Sequence, residues 1–131
     1  MQDNETGLIW EVKRNLNGVK INDNPNDADN TYTWFGCNQY FISFLNSSNW
    51  GGFSDWRLPT AEELKTIVVF NTKNPAINTT YFPNTQSSSY WSSTTHDYNS
   101  GLAWCVNFYH GRGNDSSKNS FNYVRAVRGG R

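Results

Sequence analysis

Charge is scarce in this sequence, and what there is cancels. Eleven basic and eleven acidic side chains leave a formal net charge of zero, and ionic residues make up only 17% of the 131 positions. A generic nucleic-acid binder carries a basic footprint, so no nucleic-acid partner is expected. Cysteine is nearly absent: Cys37 and Cys105 are the two, with no CxxC. That excludes a disulfide framework and leaves one bridge or two free thiols open. With two histidines besides, a zinc-type site lacks ligands, and no cofactor or metal is expected. No apolar run approaches the roughly 18 residues of a membrane span. The opening MQDNETGLIW has neither the basic nor the apolar region of a signal peptide. A leader trimmed from this chain and a protein that acts where it is made are both open. No fixed-period repeat occurs.

What is abundant is polar without being ionic. Mean hydropathy is −0.75, yet aromatic residues reach 16%, with six Trp and seven Tyr. Disordered chains are poor in aromatics. This composition therefore predicts one folded domain, residues 1–131, loop-rich and held by large aromatic anchors. The charge is unevenly spread. Residues 1–35 carry six acids and three bases, whereas 104–131 carry one acid and five bases. The C-terminal end thus leans toward an anionic partner.

Along the chain, 7–13 (GLIWEVK) predicts a strand. The acidic stretch 22–30 (NDNPNDADN) predicts Asx turns. Its Asp23, Asn24, Asn26, Asp27 and Asp29 are hard oxygen ligands, but no EF-hand pattern accompanies them. Tyr40, Phe41, Phe44 and Leu45 at helical spacing predict a first helix over 38–46. Thr60 with Glu63 forms a capping box that predicts a second helix over 61–70. From Tyr90 onward the period changes to two, and YWSST, GLAWCVNFY and NYVRAVR read as strands. The order predicts an α+β domain, two helices packed on a small twisted antiparallel sheet with long loops.

In the strand 102–109, alternation predicts Leu102, Trp104, Val106 and Phe108 in the core. It sends Ala103, Cys105, Asn107 and Tyr109 outward, which would make Cys105 a surface thiol. The polar stretch 107–122 that follows reads as a long connection rich in Asn, Ser, Gly and aromatics. Such a mixture resembles a paratope, where Tyr supplies contact area at low entropic cost and Ser, Gly and Asn supply adaptable hydrogen bonds. An idle hairpin tip is equally open on composition alone.

Five blocks in order, TGLIWE, DADNTYTW, GGFSDWRLPTAEEL, NPAINTTYFPNTQSSSYWSS and AWCVNFYHG…YVRAVRGG, resemble the Lcl C-terminal domain family from Thr6 to Gly130. The resemblance implies a C-type lectin-like fold and a non-catalytic ligand-binding domain used in recognition or attachment. It favours a cell-surface, secreted or virion-associated location. A cysteine common in the family just before DWRLPT is missing, where this chain has Trp50, so the usual bridge to Cys37 is expected to be lost.

Domains of this fold ending in a strand like YVRAVRGG also resemble the variable proteins of diversity-generating retroelements. Mutated adenines there reach most residue types but not Lys, Glu, Gln, Met or Trp. From Thr94 to Ser117 only Trp104 falls outside that set. The resemblance implies a variable face over 94–122. Its ligand-binding residues would be His96, Asp97, Tyr98, Asn99, Asn107, Tyr109, His110, Arg112, Asn114 and Asp115. The partner would be a protein or cell-surface receptor. A surface adhesin module for sulfated glycan, drawn by the basic C-terminal segment, is the alternative, and a structural cap is the third reading. Arg125 and Arg128 are expected to make structural ion pairs or carbonyl contacts rather than to hold an anion. The calcium motifs of sugar-binding C-type lectins are not matched. The formylglycine-generating enzymes share the broad fold and use a cysteine pair, but Cys37 and Cys105 are not placed as one. His96 and His110 have no nucleophile spaced for a triad. An enzyme is not expected.

Overall fold

The computed structural model describes residues 1–13, 26, 28 and 30–130. In chain order these form β1 (Leu8–Trp10) and a helical run of α1 (Trp34–Gly36), a π-helical stretch (Cys37–Ile42) and α2 (Ser43–Ser47). A single 3-10 turn (Trp50–Gly52) and α3 (Ala61–Lys65) follow. Then come β2 (Ser89–Thr95), β3 (Leu102–Asn107), β4 (Arg112–Ser117) and β5 (Val127–Gly129). This is the expected α+β order.

The helical run starts earlier than the spacing predicts, because Thr33 caps it by accepting from the Gly36 amide at 3.1 Å. At α3 the capping box is complete. Thr60 Oγ1 accepts from the Glu63 amide at 3.1 Å, and Glu63 Oε1 accepts from the Thr60 amide at 2.8 Å. The helix ends at Lys65 rather than running to Phe70, since Val68 turns away to bridge Ile77.

Two small sheets organise the rest. β1 pairs antiparallel with β5, and β2, β3 and β4 form an antiparallel sheet in that order. Bridges from Arg57 to Val127 and from Tyr90 to Tyr123 tie the C-terminal segment to α3's flank and to β2. The DWRLPT and YVRAVRGG blocks are therefore joints. Arg57 makes a bidentate pair with Glu63 (2.7 and 2.8 Å) and donates to the Gly129 carbonyl at 3.0 Å. Arg125 is buried and donates to the Glu11 carbonyl (2.7 Å) and to Thr85 Oγ1 (3.0 Å). Arg128 lies 3.8 Å over the Phe53 ring and pairs with Asp55 at 2.6 and 3.0 Å. Both C-terminal arginines are thus structural, as expected.

The three-stranded sheet is covered on both faces, which changes the reading of β3. One core holds Phe41, Ile42 and Leu45 of the helical run against Trp91, Ala103 and Cys105. The other holds Leu64 and Ile67 from α3 and its end against Tyr90, Val106 and Phe108. Ala103 and Cys105 are therefore buried, not outward. The alternation rule assumed a sheet with one wet face. Both thiols are free and buried. Trp104, assigned to the core by alternation, is only half-buried at the rim of the α3 face.

The stretch 107–122 is likewise not a long loop. After a four-residue turn (108–111) it returns as β4, paired with all of β3 from Asn107↔Arg112 to Leu102↔Ser117. Gly111 makes the turn possible. Its φ is +84°, and a Cβ there would stand 2.5 Å from Val68 Cγ1. β4 escaped the sequence reading because Arg-Gly-Asn-Asp-Ser-Ser has poor strand propensity. Its pairing is carried by the backbone.

Candidate recognition site

The ten candidate residues fall in two groups at opposite ends of β3, with Asn114 between them on β4. His96, Asp97, Tyr98 and Asn99 lie in the β2–β3 connection, at one end of the sheet. Asp115 joins them from β4, where it stands opposite Trp104. Asn107, Tyr109, His110 and Arg112 surround the β3–β4 turn at the other end, about 17 Å away along β3. Asn114 is a residue from the opposite face: it is paired with Cys105 and accepts from Ser89 Oγ at 3.4 Å.

Several of these side chains build the loops they sit in. His96 Nδ1 accepts from the Tyr98 amide (3.1 Å), and Asn99 Oδ1 accepts from the Gly101 amide (2.9 Å). Asn107 Oδ1 accepts from the Tyr109 amide (2.9 Å), and His110 Nδ1 accepts from the Arg112 amide (3.0 Å). Such local bonds fix turns. Asp97, Tyr98, Tyr109, Arg112 and Asp115 project instead. Tyr98 is 93% exposed and Tyr109 49% exposed.

The β2–β3 end carries an aromatic platform. The His96 ring stacks on Trp104 with centroids 5.1 Å apart and planes 27° apart, and Tyr98 meets His96 edge-on at 6.0 Å. His96 Nε2 lies 3.7 Å from Asp115 Oδ2. Beneath the platform, between α3 and the hairpin, is a cleft of about 520 Å³. Its wall includes Glu62 and Lys65 of α3, Thr94, Asp97, Trp104 and Gly113. Sequence reasoning missed Trp104, Glu62 and Lys65. The signal available was Trp104 itself, the lone residue of its segment outside the diversifiable set.

The family model for the Lcl C-terminal domain matches residues 1–128. This chain belongs to the Lcl C-terminal domain family. No curated protein matches it. The family carries the C-type lectin-like fold, and the two-helix, small-sheet architecture above agrees with it. A surface-binding domain is what the family suggests.

In this Lcl C-terminal domain the described residues of the basic C-terminal segment form no basic surface patch. Lys118 is buried, donates to Thr95 Oγ1 at 3.0 Å and lies 4.0 Å over the Trp34 ring. Arg125 is buried and Arg128 is paired with Asp55. Among the described basic residues of that segment, Arg112 alone is exposed without an ion pair. The two thiols are poor nucleophiles. Burial pushes Cys105 up to about 12 and Cys37 higher still, so both stay protonated. Of the acidic stretch, Asp23, Asn24, Asp27 and Asp29 lie outside the described residues. Asn26 is buried and donates to Glu11 Oε2 at 2.6 Å and to the Val12 carbonyl at 3.1 Å. Among the described residues no helix is long and apolar enough to cross a membrane.

Proposed function

We propose that this domain is a non-catalytic recognition module whose ligand is a protein or cell-surface receptor. Contact is made through the β2–β3 loop, the outer side of β4 and the β3–β4 turn. We further propose that it serves as the variable protein of a diversity-generating retroelement.

One observation carries this reading. Within 94–122 the buried residues are Ala103, Cys105, Val106, Phe108, Gly111 and Lys118. Everything else points at least partly to solvent, on strands joined by main-chain bonds. Of these, Asp97, Tyr98, Tyr109, Arg112 and Asp115 project to solvent, so their side chains can change without disturbing either core. The protonated, buried thiols support packing roles for Cys37 and Cys105 and so favour binding over catalysis. The sulfated-glycan alternative has less support, because the basic residues that suggested it are largely buried or paired.

The test is a display library diversified at Asp97, Tyr98, Tyr109, Arg112 and Asp115. Folded variants that bind unrelated protein targets with micromolar or better affinity are the expected result. A library that folds and yields no binders, while the parent domain is retained on heparin and released by salt, would replace this reading with the adhesin one.

A further inference from the structure

We propose that the cleft beside Trp104 takes a cationic side chain, an arginine or lysine of the protein ligand. This rests on the recognition reading above and names the chemistry its partner presents.

The cleft is large enough for such a group, at about 520 Å³. Trp104 contributes its half-exposed indole to the wall, already backed by the stacked His96 ring. Trp is the strongest aromatic partner for a cation, and a guanidinium stacks on it best. The ionic groups decide the sign of the occupant. Glu62 and Asp97 line the cleft and are exposed, with no ion-pair partner among the described residues. Asp115 stands beside His96, opposite Trp104 on the neighbouring strand. Lys65 is the single cation on the wall. Two lining carboxylates against one lining ammonium, with Asp115 nearby, leave the pocket negative. That disfavours a sulfate and favours a guanidinium, which two carboxylates receive by charge-assisted hydrogen bonds. Tyr98, exposed and edge-on to His96, offers further contact area to the peptide flanking the cation.

The probe is the peptide acetyl-Gly-Ser-Arg-Ser-Gly-amide, with its citrulline counterpart as the neutral control. Binding is read from the Trp104 indole N–H resonance in nitrogen–proton correlation spectra of the whole domain. Saturable millimolar binding of the arginine peptide is expected, with the citrulline peptide at least about fivefold weaker. Glu62→Gln and Asp97→Asn, both exposed and harmless to folding, are expected to weaken binding about three- to tenfold each. Lys65→Gln is expected to tighten it by up to about fivefold. Equal binding of the two peptides, no response of Trp104, or a stronger response to a sulfated disaccharide would each overturn the inference. A random-peptide selection on the same domain separates it from the reading beneath it. Binders that compete with Tyr98→Ala-sensitive contacts but carry no basic residue overturn the cation and keep the recognition site. A selection that returns no binders overturns both.

Discussion

Replacing Glu11 by Ala is expected to cost more stability than any change at a projecting side chain of the recognition surface. Glu11, directly after β1, is fully buried. Its Oε2 accepts from Lys13 Nζ at 3.0 Å and from Asn26 Nδ2 at 2.6 Å, and its Oε1 accepts from the Ala126 amide at 3.0 Å. Removing the carboxylate leaves the Lys13 ammonium, 4% exposed, without its counter-charge beside the buried Arg125. Breaking a buried pair by deleting one partner costs about 3–5 kcal/mol. For 131 residues the unfolding entropy is roughly 0.28 kcal/mol/K, so the midpoint should fall by about 11–18 °C. Calorimetry or circular dichroism reads this directly.

The same variant has a pH signature. Burial already lowers the Lys13 pKa from its ordinary value, with Glu11 opposing that shift. Without Glu11 the native state binds fewer protons than the unfolded chain between the depressed folded pKa and about 10.5. The lost stability should therefore return as pH rises through that window. The double variant Glu11→Met with Lys13→Met should recover part of the loss, because it removes the unpaired ammonium while the Ala126 amide and Asn26 Nδ2 still lose their acceptor. A fall below about 1 kcal/mol, or a double variant as unstable as the single one, would refute the reasoning.

Three further outcomes follow from the same division between scaffold and surface. Tyr98→Ala, at a 93% exposed position, should move the midpoint by no more than about 2 °C while weakening ligand capture. Gly111→Ala should lower it by about 7–18 °C, since it combines a left-handed φ with a Cβ 2.5 Å from Val68 Cγ1; an unchanged midpoint would mean that the turn is not held against Val68. Neither Cys37 nor Cys105 should react with a thiol reagent at pH 8 in the native state, because burial holds both protonated. Both should react on unfolding, and prompt native reaction at either would contradict the buried placement.

Short-range chemistry was legible in the sequence. The Thr60–Glu63 capping box needs only residues three apart, and it appears with both its bonds. The structural roles of Arg125 and Arg128 were legible too, since the YVRAVRGG block that holds them reads as scaffold. Long-range coverage was not. Period-two alternation in β3 could not reveal that the helical run covers one face and α3 the other, so Cys105 was sent outward and Trp104 inward. β4 was unreadable for a different reason: small polar side chains say loop, and only the register with β3 makes them a strand. The cleft needed both facts at once. Glu62 lies about 40 residues from Trp104 in sequence, and nothing local links them.

The most direct test of the account is the DNA sequence of the few kilobases around the gene. The account predicts a near-copy of the stretch encoding 94–122, beside a reverse transcriptase, differing where the copy has adenine. Those differences should fall on codons of projecting residues such as Asp97, Tyr98, Tyr109, Arg112 and Asp115. The codons of Ala103, Cys105, Val106 and Phe108 should be untouched. No such copy, or differences that strike the buried codons as often as the exposed ones, would contradict it.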